Sequence, residues 1–154
     1  MMRKILYIVT FIVMIIALII PFKNVDKEVD VKTIEKVIVK QMDTETMQKQ
    51  DEKALKRGYK VKMNDYQKQY SYGPISYMNV EEITVFYETN EEKRNALLKK
   101  AEEHIKSQIS VFEGYGEVQT KLLKKSYVKT KGNYVICIVA KNVHSIAQAF
   151  ESLF

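Results

Sequence analysis

The sequence predicts an α+β domain: a mainly antiparallel sheet of about three or four strands with helices packed chiefly on one face, preceded by one N-terminal transmembrane helix. Three observations point there. An uncharged apolar run spans Ile5 to Phe22, residues 82–89 alternate in the manner of a strand, and a two-residue hairpin signal sits at Gly132-Asn133. A long stretch of helical periodicity separates the last two.

The apolar run comes first in the chain. As a helix it measures about 27 Å, just enough for a bilayer core of about 30 Å. Arg3 and Lys4 precede it, and Lys23 and Lys27 follow. The positive charge on the short N-terminal side favours a cytoplasmic N-terminus, which places the rest of the chain outside the cytoplasm. A cleaved signal peptide would need small residues near the end of the run. Here the run closes Leu18-Ile19-Ile20-Pro21-Phe22, with Ala17 the one small residue nearby. The expectation is therefore an uncleaved anchor over 1–22, a linker over 23–29 and a single extracytoplasmic domain over 30–154.

Within that domain, Asp30 can cap a helix to about Met42, with Val31, Ile34, Ile38 and Met42 at helical spacing. Residues 43–51 are polar and read as a loop or frayed turn. Asp51 to Tyr59 reads as a short helix ended by Gly58 at the C′ position. Residues 65–78 hold Tyr66, Tyr70, Tyr72 and Tyr77 around Gly73-Pro74. That pair forbids a long helix and leaves an edge strand or an ordered loop.

The strand over 82–89 places Ile83, Val85 and Tyr87 on one face and Thr84, Phe86 and Glu88 on the other. Thr89 and Glu92 then make a capping box for a helix over about 90–112. Its stripe is Leu97, Leu98, Ala101, Ile105, Ile109 and Phe112. A shorter helix is expected over 117–125. Residues 126–131 and 134–141 form the hairpin, the second strand apolar on both faces and so internal to the sheet. Asn142 caps a last helix with Val143, Ile146, Ala147 and Phe150 inward.

Charge bears on function. The chain carries a formal net charge of +6, almost all of its basic residues being Lys. From Val118 to Phe150 there is no Asp or Glu, while Lys121, Lys124, Lys125, Lys129, Lys131 and Lys141 fall there. Lys121, Lys124, Lys125, Lys129 and Lys131 are the candidate surface for an anionic partner, an envelope protein or an anionic polymer. The plainer alternative is a solvated face balanced by acids elsewhere, such as Glu102, Glu103, Glu113 and Glu117. Nucleic acid is not expected, because Arg is scarce and no helix concentrates basic residues as a groove reader would.

No catalytic, cofactor or metal constellation stands out. His104 and His144 are isolated, with no second His or carboxylate at helical spacing, and read as surface or boundary residues. Glu81-Glu82 and Glu102-Glu103 are adjacent pairs whose side chains diverge. Cys137 lies in an apolar strand and reads as a buried free thiol. The one corner with the makings of a pocket is Phe112-Glu113-Gly114-Tyr115-Gly116, where Glu113 supplies charge and Tyr115 a ring and hydroxyl.

Several of these residues carry a resemblance. Glu81-Glu82-Ile83, then Phe112-Glu113-Gly114-Tyr115 followed by Gln119, then Lys131-Gly132-Asn133-Tyr134-Val135, are similar to the DUF4358 family of small Firmicutes envelope proteins. The resemblance covers roughly 51–154. Its members commonly look like lipoproteins or membrane-anchored proteins, which implies an envelope location. No catalytic residues come with the family. This chain lacks a lipoprotein cysteine after the apolar run, so the helix itself would be its anchor. The Lys- and Ile-rich composition suits a low-GC Gram-positive source. The function expected is a non-enzymatic binding or accessory module of the cell envelope; the alternatives are an enzyme whose site one sequence does not reveal and a structural or regulatory homo-oligomeric accessory protein.

Overall fold

A computed structural model describes residues 28–154. The predicted transmembrane helix over Ile5–Phe22 lies outside the described residues. Among those described, no helix is long and apolar enough to cross a membrane.

The described residues form five strands, β1 (Met47–Lys49), β2 (Lys68–Pro74), β3 (Glu82–Tyr87), β4 (Tyr127–Lys131) and β5 (Tyr134–Val139). Among the described residues five α-helices join them: α1 (Val31–Val39), α2 (Glu52–Gly58), α3 (Glu91–Phe112), α4 (Glu117–Lys124) and α5 (Val143–Glu151). The sheet is antiparallel throughout, in the order β1-β2-β3-β5-β4. Each strand lies beside its sequence neighbour except at one crossover. There α3 and α4 carry the chain from β3 past β5 to the far edge, and the hairpin folds back.

The helices cover both faces, which corrects the expectation of one covered face. On the first face Ile83, Val85, Tyr87, Tyr134, Ile136 and Ile138 pack with α1 and α5 through Ile34, Ile38, Ile146 and Phe150. On the second, Phe86, Val135, Cys137 and Val139 pack with α2, α3 and α4 through Leu55, Leu97, Ala101 and Leu123. The physical reason is the composition of β3 and β5. Every residue of both is buried, so either face left bare would expose a contiguous apolar patch.

The sheet also has one more strand than the upper expectation. Residues 43–51, read as a loop, contain β1, whose Met47 is 3% exposed and packs into the first core. Three residues are too few for alternation to register. With β1 paired outside it, β2 is internal, and Pro74 sits at its last position, opposite Met47.

Two helix ends differ from expectation. Asn90, not Thr89, caps α3, its side chain accepting from the Lys93 amide at 3.0 Å. Gly58 stays helical, and the positive φ that follows α2 falls on Lys60, at 54°. The hairpin turn is as expected, with Gly132 at φ 52°, a conformation glycine takes without strain.

Candidate functional site

Alternation along β3 decides where the site forms. Glu82, Thr84 and Phe86 share the face turned toward α3. Thr84 lies between Ser71 on β2 and Cys137 on β5, giving a row of small side chains across the sheet. The Ser71 and Thr84 hydroxyls meet at 2.7 Å, buried. Tyr59 lies beside Thr84 and Cys137, and space is left beside it over Ser71 and Glu82. A cavity of about 360 Å³ opens there, walled by α2, α3 and the 75–80 loop.

His104 projects from the inner stripe of α3, among Leu97, Ala101 and Ile105. It lies against the cavity floor, 8% exposed. Its Nε2 is 2.7 Å from Glu82 Oε1, and its Nδ1 is 3.0 Å from the Gly58 carbonyl oxygen at the end of α2. The ring stacks on Tyr59, centroids 4.2 Å apart and planes 29° from parallel. Three elements therefore hold one imidazole.

The partners settle the protons. A carbonyl only accepts, so Nδ1 carries hydrogen. Nε2 faces a carboxylate, so one proton lies between Nε2 and Glu82. Burial is the largest influence on His104 and pulls its pKa down. The charge and hydrogen bond of Glu82, with the Gly58 carbonyl, outweigh burial and hold it above the ordinary histidine value. The shared proton is thus held more firmly on the imidazole than in a free histidine, and the pair is buried and hydrogen-bonded at 2.7 Å.

Neither ring nitrogen keeps a lone pair for the cavity, and the nearby Ser71 hydroxyl is bonded to Thr84 rather than to His104. What the cavity offers instead is hydrogen-bonding capacity. Gln48, Gln50, Asn79 and Gln108 line it with amides, Arg57 stands at its wall, and Tyr77 at its rim is 97% exposed. Arg57 makes no ion pair among the described residues. Above the same floor, the buried Tyr59 hydroxyl lies beside Cys137 and Thr84 without a well-formed hydrogen bond. Burial drives both the Tyr59 phenol and the Cys137 thiol well above their ordinary pKa values.

The residues singled out from sequence lie elsewhere. Lys121 pairs with Glu117 at 2.7 Å and Lys124 with Glu113 at 3.6 Å, all well exposed. Lys125 follows at the end of α4, while Lys129 and Lys131 sit on the edge strand β4. Lys129 lies over the Tyr127 ring. Glu113 caps α3, and Tyr115, 67% exposed, lies against Phe112. That corner does not line the cavity at His104. Its glycine has a steric reason, since a Cβ on Gly116 would come within 2.7 Å of the Phe112 ring. Among the described residues no cluster of His, Cys, Asp or Glu could hold a metal ion.

His104 corrects the sequence reading, which looked for its partner at helical spacing on its own helix. The partner comes from a strand 22 residues away. One signal was available: His104 falls three residues after Ala101 and one before Ile105, inside the apolar stripe. A polar residue there must find a buried partner.

The fold and site define a small α+β domain with helices on both faces of an antiparallel sheet and a polar cavity over a buried Glu–His pair. The model of one family, described as a domain of unknown function (DUF4358), matches residues 40–140. That is well over half of the chain, and the chain belongs to this family. The match takes in β1 and stops before α5. No curated protein and no solved structure matches the chain.

Proposed function

We propose that this chain is a membrane-anchored binding module of the bacterial cell envelope, non-enzymatic, that takes a small polar ligand in the cavity over Glu82 and His104. The cavity carries the reading. At about 360 Å³ it falls at the lower end of the range for small-molecule sites. Its amide groups donate and accept, which suits a ligand bearing several hydroxyl or amide groups. The apolar run Ile5–Phe22 supports an anchor with its N-terminus in the cytoplasm and the domain outside. Binding is favoured over catalysis because both nitrogens of His104 are already engaged, so the imidazole is not free to act as a general base on a ligand.

Full-length protein purified from its own membrane, then denatured and its small molecules analysed by mass spectrometry, tests the reading. Ala54 lines the cavity from α2 and belongs to neither core, so Ala54→Trp fills the space without entering either core. A compound enriched with the wild type and absent from the folded variant is the expected result. Equal recovery from both, or none from either, counts against the cavity as a binding site.

A further inference from the structure

Lys32, Lys36 and Lys40 recur every four residues on α1 and its C-cap, all exposed, and none makes an ion pair among the described residues. They flank a shallow groove floored by Val39 and Tyr72. The one acid in the groove, Glu35, is already engaged. It pairs with Lys49 at 3.0 Å and accepts from the Tyr72 hydroxyl at 2.9 Å. The stripe is therefore positive along its length, about 12 Å of helix.

Its place in the chain gives it an occupant. Glu28 accepts from the Tyr87 hydroxyl, and the Val29 carbonyl accepts from the Tyr134 hydroxyl. Both tyrosines belong to central strands, so the chain enters the domain at a fixed point, directly before α1. Between that point and Phe22 lie only residues 23–27, which reach at most roughly 20 Å. They add Lys23 and Lys27. A bilayer holding Ile5–Phe22 would then lie close to α1, near enough for lysines to feel a charged surface once the domain leans onto it.

We propose that the α1 face bearing Lys32, Lys36 and Lys40 docks on anionic phospholipid headgroups, holding the domain flat on the membrane. This rests on the anchor reading above. Lys121 and Lys124 lie on α4, across the sheet from α1, and are already paired with acids.

Amine acetylation of the full-length protein, followed by mass spectrometry, tests the proposal in two nanodiscs. One contains phosphatidylcholine alone and the other adds phosphatidylglycerol. Expected is a slowing of modification at Lys32, Lys36 and Lys40 of about tenfold or more in the anionic discs. High salt should abolish it, and Lys121 and Lys124 should be unaffected. In a Lys32→Glu, Lys36→Glu, Lys40→Glu variant, Lys27 should lose its protection as well. Equal rates in the two discs overturn the proposal, as does equal protection at Lys121 and Lys124. A chain retained by neither disc overturns the anchor reading and this proposal with it, an outcome distinguishable by co-purification with the disc lipid.

Discussion

His104 and Glu82 meet at 2.7 Å beneath the cavity, with side chains 7% and 10% exposed. A buried pair of this kind is costly to break from one side, because the remaining partner keeps its desolvation penalty. Glu82→Gln removes the charge that holds the proton on His104, so burial leaves the ring neutral and the charge-assisted hydrogen bond is lost, and a loss of about 1–3 kcal/mol in unfolding free energy is expected. Urea denaturation measures it. Adding His104→Gln to that variant should cost less than the sum of the two single changes, since the pair acts as a unit. Strict additivity would show that the two side chains do not depend on one another.

The same pair sets a pH dependence. His104 is held above its ordinary value of 6.5 when folded, so the folded state keeps a proton that the unfolded chain has released. Its stabilising contribution is complete below about pH 6.5 and is lost as pH rises through the raised folded value. Unfolding free energy should therefore fall with rising pH across that window. In Glu82→Gln the fall is expected to vanish. Denaturation series at several pH values read both.

Cys137 is 1% exposed, and burial, followed by the nearby Glu82 charge, drives its thiol well above the ordinary value. A protonated, enclosed thiol does not react. Labelling with a disulfide reagent should proceed only as fast as the domain opens, and urea should accelerate it in step with unfolding. Immediate reaction in native buffer would show that the second core is open to solvent.

Because helices cover both faces, truncation in either layer should be felt. Ile38 at 0% exposure and Leu97 at 1% represent the two cores. Ile38→Ala and Leu97→Ala are each expected to cost about 2–5 kcal/mol. Being separated by the sheet, their effects should add. A negligible loss for one of them would show that its helix layer is not packed.

How far the sequence reveals the structure depends on the range of the interaction that decides each element. Alternation placed β3, and the stripe of Leu97, Ala101, Ile105 and Phe112 placed α3, because each pattern repeats several times within one element. β1 escaped because three residues carry no period and its position is set by pairing with β2. The second helix layer was legible in principle: β5 is apolar on both faces, and a strand internal to a sheet with two apolar faces needs cover on each. The site was the least legible part. Glu82 and His104 are ordinary residues apart, and only the packing of α3 across β3 makes them partners. The 65–78 tyrosines divide similarly. Tyr70 is buried and Tyr66 packs on Phe86, while Tyr77 stands free at the cavity rim. Nothing local distinguishes it from the others.

Nitrogen NMR of the His104 side chain gives the most direct test of the cavity as the binding site. Full-length protein in detergent would be titrated with the small-molecule fraction released from wild-type protein purified from its own membrane. The expected result is movement of the His104 ring nitrogens and the Gln108 side-chain amide in the wild type, and stationary signals in Ala54→Trp. Stationary signals in the wild type, or equal movement in both proteins, would contradict a ligand held over Glu82 and His104.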